Sequence, residues 1–139
     1  MNADKELLEL AAKAAGWKWW RSKHGYWNVI DENFDETTCC HGWPKFDAFT
    51  GEALPESTPA DALAECDWDP LADNGDALRL AVKLRLEMYQ SLNCGLWTVF
   101  VGYSKNGRIV YVAEQAGDDV FSATRRAIVR AAAEIGKTL

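Results

Sequence analysis

Leu96-Trp97-Thr98-Val99-Phe100-Val101-Gly102-Tyr103, Ser104-Lys105-Asn106-Gly107, Arg108-Ile109-Val110-Tyr111-Val112-Ala113: this stretch decides the fold. Two runs rich in β-branched and aromatic residues flank an Asn-Gly pair, whose ready adoption of positive φ makes it the strongest short signal for a β-hairpin. Upstream, Asn93-Cys94-Gly95 breaks the chain. Before it, Leu84, Leu86 and Met88 alternate with Arg85, Glu87 and Tyr89, a period-2 pattern that predicts a third strand. Continued helix to Tyr89 is the competing reading of that segment. An antiparallel meander within residues 85–115 follows.

Helices flank the meander on both sides. Asp73 or Asn74 can accept the first backbone N–H groups of a helix over 75–84, with Ala77, Leu80, Ala81 and Leu84 as its inner stripe. Trp68-Asp69-Pro70 reads as an anchor and turn leading into it. Asp118 and Asp119 open a final helix over 118–136, where Phe121, Thr124, Ile128, Ala131 and Ile135 keep helical spacing. At the other end, Leu7, Leu10, Ala11 and Ala14 mark a helix over 4–15, with Asn2 or Asp4 as cap and Gly16 as its stop. Residues 17–30 place the runs Trp17–Arg21 and Tyr26–Ile30 around a four-residue loop, a second hairpin.

Residues 31–67 break every pattern. Pro44, Pro55 and Pro59, with Gly42 and Gly51, predict a long irregular loop, relieved by one helical turn at Pro59–Ala64. Phe34, Trp43, Phe46, Phe49 and Leu54 would pin it to the core. The expected fold is α+β, a single domain over residues 1–139. It has an antiparallel sheet (hairpin 17–30 plus meander within 85–115), helices 4–15, 75–84 and 118–136, and the long acidic loop 31–67.

The chain has 139 residues, 48% hydrophobic and 26% charged, with a net charge of −6. That suffices for a hydrophobic core. No apolar run approaches the ~20 residues that span a bilayer, and the N-terminus lacks the basic start and apolar core of a signal peptide. A cytoplasmic protein without membrane contact is expected. Cys39, Cys40, Cys66 and Cys94 are then reduced thiols. Charge is uneven: residues 31–76 hold thirteen carboxylates against Lys45 alone, while the rest of the chain is net basic. Such an acidic middle attracts either the basic ends of the same chain or a basic partner.

The residues that could carry chemistry each have a simpler role. Cys39, Cys40, His41 and Cys66, with His24, are metal-ligand residue types, but adjacent cysteines make an awkward chelating pair and zinc prefers C-x₂₋₄-C spacing. A nucleophilic cysteine needs an electropositive pocket, and the acidic surroundings push a thiol pKa the other way. The pairs Asp73/Asp76 and Asp118/Asp119 have a simpler task at helix N-termini than acid–base catalysis. No phosphate-binding glycine loop and no H-E-x-x-H run is present. Arg125, Arg126 and Arg130, with Lys18, Arg21 and Lys23, could form a basic surface for nucleic acid, but the acidic loop opposes phosphate and the arginines have acids within their own chain to meet.

The segments 5–16, 68–84 and 123–136 resemble, in that order, small proteins of temperate bacteriophages and prophages of the phage ABA sandwich type, in which helices pack about an antiparallel sheet. The resemblance leaves out residues 17–67. It implies a fold of helices around a sheet and a host-cell setting, and no catalytic residue. Together these readings lead us to expect a non-enzymatic accessory protein without cofactor that binds a protein partner. Trp43, Phe46 and Phe49 are its expected anchors, and Asp35, Glu36, Asp47 and Glu52 steer a basic partner. The rival is a zinc or thiol site at Cys39, Cys40, His41 and Cys66. An exposed sheet face or edge would make a homodimer natural.

Overall fold

Ala3–Ala15 form α1, whose first turn holds Asp4 and Glu6 and whose last turn holds Lys13, the distribution that the helix dipole favours. It ends because Gly16 adopts φ 96°, a left-handed conformation that costs glycine little. Gly16 N–H then donates to Lys13 O (3.1 Å) and Trp17 N–H to Ala12 O (2.9 Å), the two bonds of a Schellman cap. Asp4 sits inside the helix rather than capping it, and its carboxylate accepts from Arg126 (2.9 Å). The computed structural model describes residues 3–21, 27–30, 40–42, 59–60, 63 and 68–139.

Strands β1 (Lys18–Arg21) and β2 (Trp27–Ile30) pair antiparallel from Lys18↔Ile30 to Arg21↔Trp27, the hairpin expected at 17–30. A third strand, β3 (Cys40–Gly42), pairs with β2. It lies inside the stretch read as irregular, since three residues are too few to show a period of two. Pro59, Ala60 and Leu63 are helical, as the Pro59–Ala64 reading anticipated. Ala60 and Leu63 are buried, and Ala60 N–H donates to Glu9 of α1 (3.2 Å), which ties this part of the loop to the first helix.

From Trp68 onward the chain is described without a break. Asp69 Oδ1 accepts from Leu71 N–H (3.2 Å), and Asp73 caps α2 (Asn74–Lys83) by accepting from Asp76 N–H (2.8 Å). Asp76 is the buried charge in this region. It is paid for locally, with Oδ2 accepting from Asp69 N–H (2.9 Å) and Oδ1 meeting Arg79 (2.6 Å). The helix therefore begins on an interlocked carboxylate turn, with Trp68 tilted against Trp17 (ring centroids 5.8 Å). Its other end is a second Schellman cap, formed around Arg85 at φ 53°. That turn consumes residues 84–86 and delays the next strand.

The meander consists of β4 (Glu87–Asn93), β5 (Leu96–Lys105) and β6 (Arg108–Ala116), in the order β4-β5-β6. It forms its own sheet, separate from β1-β2-β3. Both connections are two-residue loops with positive φ at both positions, Cys94-Gly95 and Asn106-Gly107, the geometry that matches strand twist. α3 (Val120–Gly136) follows, capped by Asp119, which accepts from Ser122 N–H (3.0 Å).

The core lies on one face of this sheet. Val99, Val101 and Tyr103 of β5 are buried there with Leu80 of α2, Ala127 and Ile128 of α3, and Ala11 of α1. α3 contacts β5, β6, α1 and α2, so its buried surface is far wider than one stripe and is lined mostly by alanine. Ile128 and Ala131 of the expected stripe are buried, but Phe121 is not part of it. Phe121 lies in the first turn, 67% exposed, whereas Ala123, Ala127, Ala132 and Ala133 are buried. The approach of α1 to α3 is so close that a Cβ at Gly136 would overlap the Leu10 carbonyl. Among the described residues no helix is long and apolar enough to cross a membrane.

Candidate functional site

Strand parity sorts the meander into two faces. Val99, Val101 and Tyr103 point toward the helices, so Thr98, Phe100, Gly102 and Ser104 point away. The register carries this across the sheet: Tyr89 and Ala113 flank Phe100, Glu87 and Tyr111 flank Gly102, and Ser91 and Gln115 flank Thr98. The helices of the core all pack on the opposite face. The outer face nonetheless carries aromatics where an exposed sheet would ordinarily carry charge.

Three of these form a cluster. Tyr89 stacks on Phe100 (centroids 4.8 Å, planes 14° apart) and meets Tyr111 edge-on (5.6 Å, 78°). Both geometries suit the ring quadrupoles. Tyr111 leans across Gly102, where a Cβ would come within 2.6 Å of its Cε1. Its hydroxyl donates to Glu87 (2.8 Å), and this bond to a carboxylate holds the phenol pKa above its usual value. Tyr89 and Tyr111 stay nearly half exposed, and Leu96 and Ile109 extend the apolar surface toward the two ends. Glu87 is the single charged residue whose parity places it on this face, and it is engaged by Tyr111. Lys105 and Arg108 stand at the hairpin end.

On the helix side, an apolar groove of about 300 Å³ runs between β4 and the first turns of α2 and α3, lined by Leu78, Met88, Gln90, Val120, Phe121 and Ile128 among others. Leu78, Met88 and Phe121 on its walls are largely exposed.

Asp35, Glu36, Trp43, Phe46, Asp47, Phe49 and Glu52 lie outside the described residues, as do Cys39, Cys66 and His24. Cys40 and His41 belong to β3, opposite Val29 and Asn28. Among the described residues no three metal-ligating side chains come together. Cys94 is a free, exposed thiol in a hairpin loop. The arginines of the last helix are committed within the chain: Arg125 donates to Leu71 O (2.8 Å) and Asn74 (2.7 Å), Arg126 pairs with Asp4, and Arg130 bonds Glu114 (2.8 Å) and Ala113 O (2.9 Å). Asp73 and Asp119 are the caps they were expected to be.

Sequence reading missed the outer aromatic face, although its signal was present. In β5 both parities are apolar, with Val99 and Val101 on one and Leu96 and Phe100 on the other, which predicts a strand needing cover on both sides. No family model matches the chain, and no match is found among curated proteins or solved structures.

Proposed function

We propose that this chain is a protein-binding module, acting without catalysis, and that its contact surface is the outer face of the β4-β5-β6 sheet. The observation that carries this reading is the Tyr89–Phe100–Tyr111 cluster: rigid aromatic anchors, partly exposed, on a face with a single, already engaged charge. Interface centres are depleted of charge and enriched in Tyr and Phe, and this face has both properties. Nucleic acid fits it less well, because a phosphate backbone needs Lys and Arg beside the stacking rings and these stand only at the hairpin end. With a net charge of −6, the partner would offer an apolar patch inside a basic rim. The resemblance of segments 5–16, 68–84 and 123–136 to phage and prophage proteins supports a role as an accessory protein in a bacterial host, directed at a host or defence factor.

The test is reconstituted binding. A photo-crosslinker at Thr98, at the centre of the face, should capture a discrete partner, and the purified partner should bind wild type. The Tyr89→Ala/Phe100→Ala double variant should bind it at least about 30-fold more weakly, as loss of two aromatic anchors implies. Equal binding by a folded double variant would refute this reading.

A further inference from the structure

The two edges of the β4-β5-β6 sheet are treated differently. At β6, Arg130 reaches over from α3 to bond the Ala113 carbonyl and pairs with Glu114, so a charged side chain sits against the strand backbone. Charge at an edge is a common protection against strand pairing. Among the described residues no such device covers β4. Glu87-Met88-Tyr89-Gln90-Ser91-Leu92-Asn93 contains no proline, glycine or lysine, and its one charge stands at the first position. Its helix-side residues are also uncovered, with Met88 46% and Leu92 55% exposed. Beside them stand Leu78 (57%) and Phe121 (67%) on the walls of the groove, and Val82 continues the Leu78 stripe along α2.

We propose that β4 pairs with β4 of a second copy of this chain, antiparallel about a two-fold axis at Gln90, to make one continuous six-stranded sheet. The register follows from the residues. Centring on Gln90 sets Met88 opposite Leu92 of the other copy on the helix side, Tyr89 opposite Ser91 on the outer side, and Glu87 opposite the neutral Asn93. No like charges meet, which matters for two molecules of net charge −6. A register shifted by one residue would place Met88 against Ser91 and lose the apolar match. The exposed parts of Met88, Leu92, Leu78, Val82 and Phe121, with the strand edge, present on the order of 600 Å² per protomer, at the lower end of the roughly 600–1,000 Å² per partner of a standard stable interface. The groove is then the space that the two copies close between them. This inference stands apart from the outer-face reading, since it rests on the strand edge and the helix side.

Sedimentation and light scattering at micromolar concentration should give twice the chain mass for wild type. Gln90→Lys and Gln90→Glu each place like charges opposite each other on the axis, and each should weaken self-association at least about 30-fold. Mixing the two variants should restore the dimer, because opposite charges then face each other. Gln90 is exposed, and unchanged helix content and melting would show that both variants fold. A monomeric wild type, a Gln90→Lys variant that remains dimeric, or a mixture that fails to reassociate would each overturn the proposal. Crosslinking of the partner at Thr98 reads the outer face separately, so the two ideas fail independently.

Discussion

On β5, Val99, Val101 and Tyr103 point under α3 and are buried, while Phe100, one residue away from two of them, points outward into a cluster open to solvent. Both faces are apolar. The inner one faces alanine-rich helices and contributes the fold's core, whereas on the outer one, among the described residues, the rings pack on one another. The two buried or engaged phenols show the same difference in another way. Tyr103 has its pKa raised chiefly by burial, with nearby Glu134 adding and Lys137 opposing, whereas Tyr111 is raised chiefly by its hydrogen bond to Glu87. One face is defined by exclusion of water, the other by contacts made in its presence.

The comparison is most directly broken by Val101→Ala. Val101 is fully buried, so removing its methyls should cost roughly 2–3 kcal/mol, seen as a lower denaturant midpoint with an unchanged m-value. Binding by the folded fraction should be unaffected. Next come two glycines given the same substitution. Gly136→Ala drives a methyl into the Leu10 backbone, which cannot swing aside, and about 1–3 kcal/mol of destabilisation is expected. At Gly102 the atoms nearest an added Cβ belong to the side chains of Tyr111 and Ile109, which can rotate away. The cost of Gly102→Ala should fall below about 1 kcal/mol, with the Tyr111–Glu87 bond lost.

The smallest effect is spectroscopic. In an alkaline absorbance titration Tyr103 and Tyr111 should both ionise above the usual tyrosine value of about 10. Glu87→Gln should return Tyr111 alone toward that value. Because the folded phenols hold their protons more tightly than the unfolded ones, their contribution to stability is complete below about pH 10 and is lost as pH rises through the raised values.

Much of this was legible from residue patterns because local rules and tertiary packing agree. Asn106-Gly107 supplied its turn, Asp73 and Asp119 capped their helices, and Ala77, Leu80 and Ala81 faced the core on schedule. Where reading failed, a residue was taking a conformation or neighbour that its type does not advertise. Arg85 at φ 53° stands where glycine usually ends a helix, so the start of β4 was blurred between strand and helix. Phe121 looked like core because helical spacing identifies a stripe without saying where the sheet stops. The outer face is hard to read because Leu96, Phe100 and Tyr111 have the same β-prone apolar character as the buried Val99 and Val101, and sequence does not say which parity the helices cover.

The association of α1 with α3 has a kinetic consequence. Asp4 meets Arg126 across 122 residues, Lys13 Nζ reaches the Leu139 carbonyl across 126, and Leu10 lies under Gly136. Closing a loop of that length costs roughly 4 kcal/mol of chain entropy beyond a fixed initial term. The α1–α3 contact is therefore expected to form late, after the meander has paired locally through its two short turns. On a ribosome, the alanine face of α1 must wait for some 122 further residues to be made before the surface that covers it is available. Folding speed should accordingly respond to changes in the α1–α3 contact less than unfolding speed does, which would make this contact the latch of the fold and not its seed.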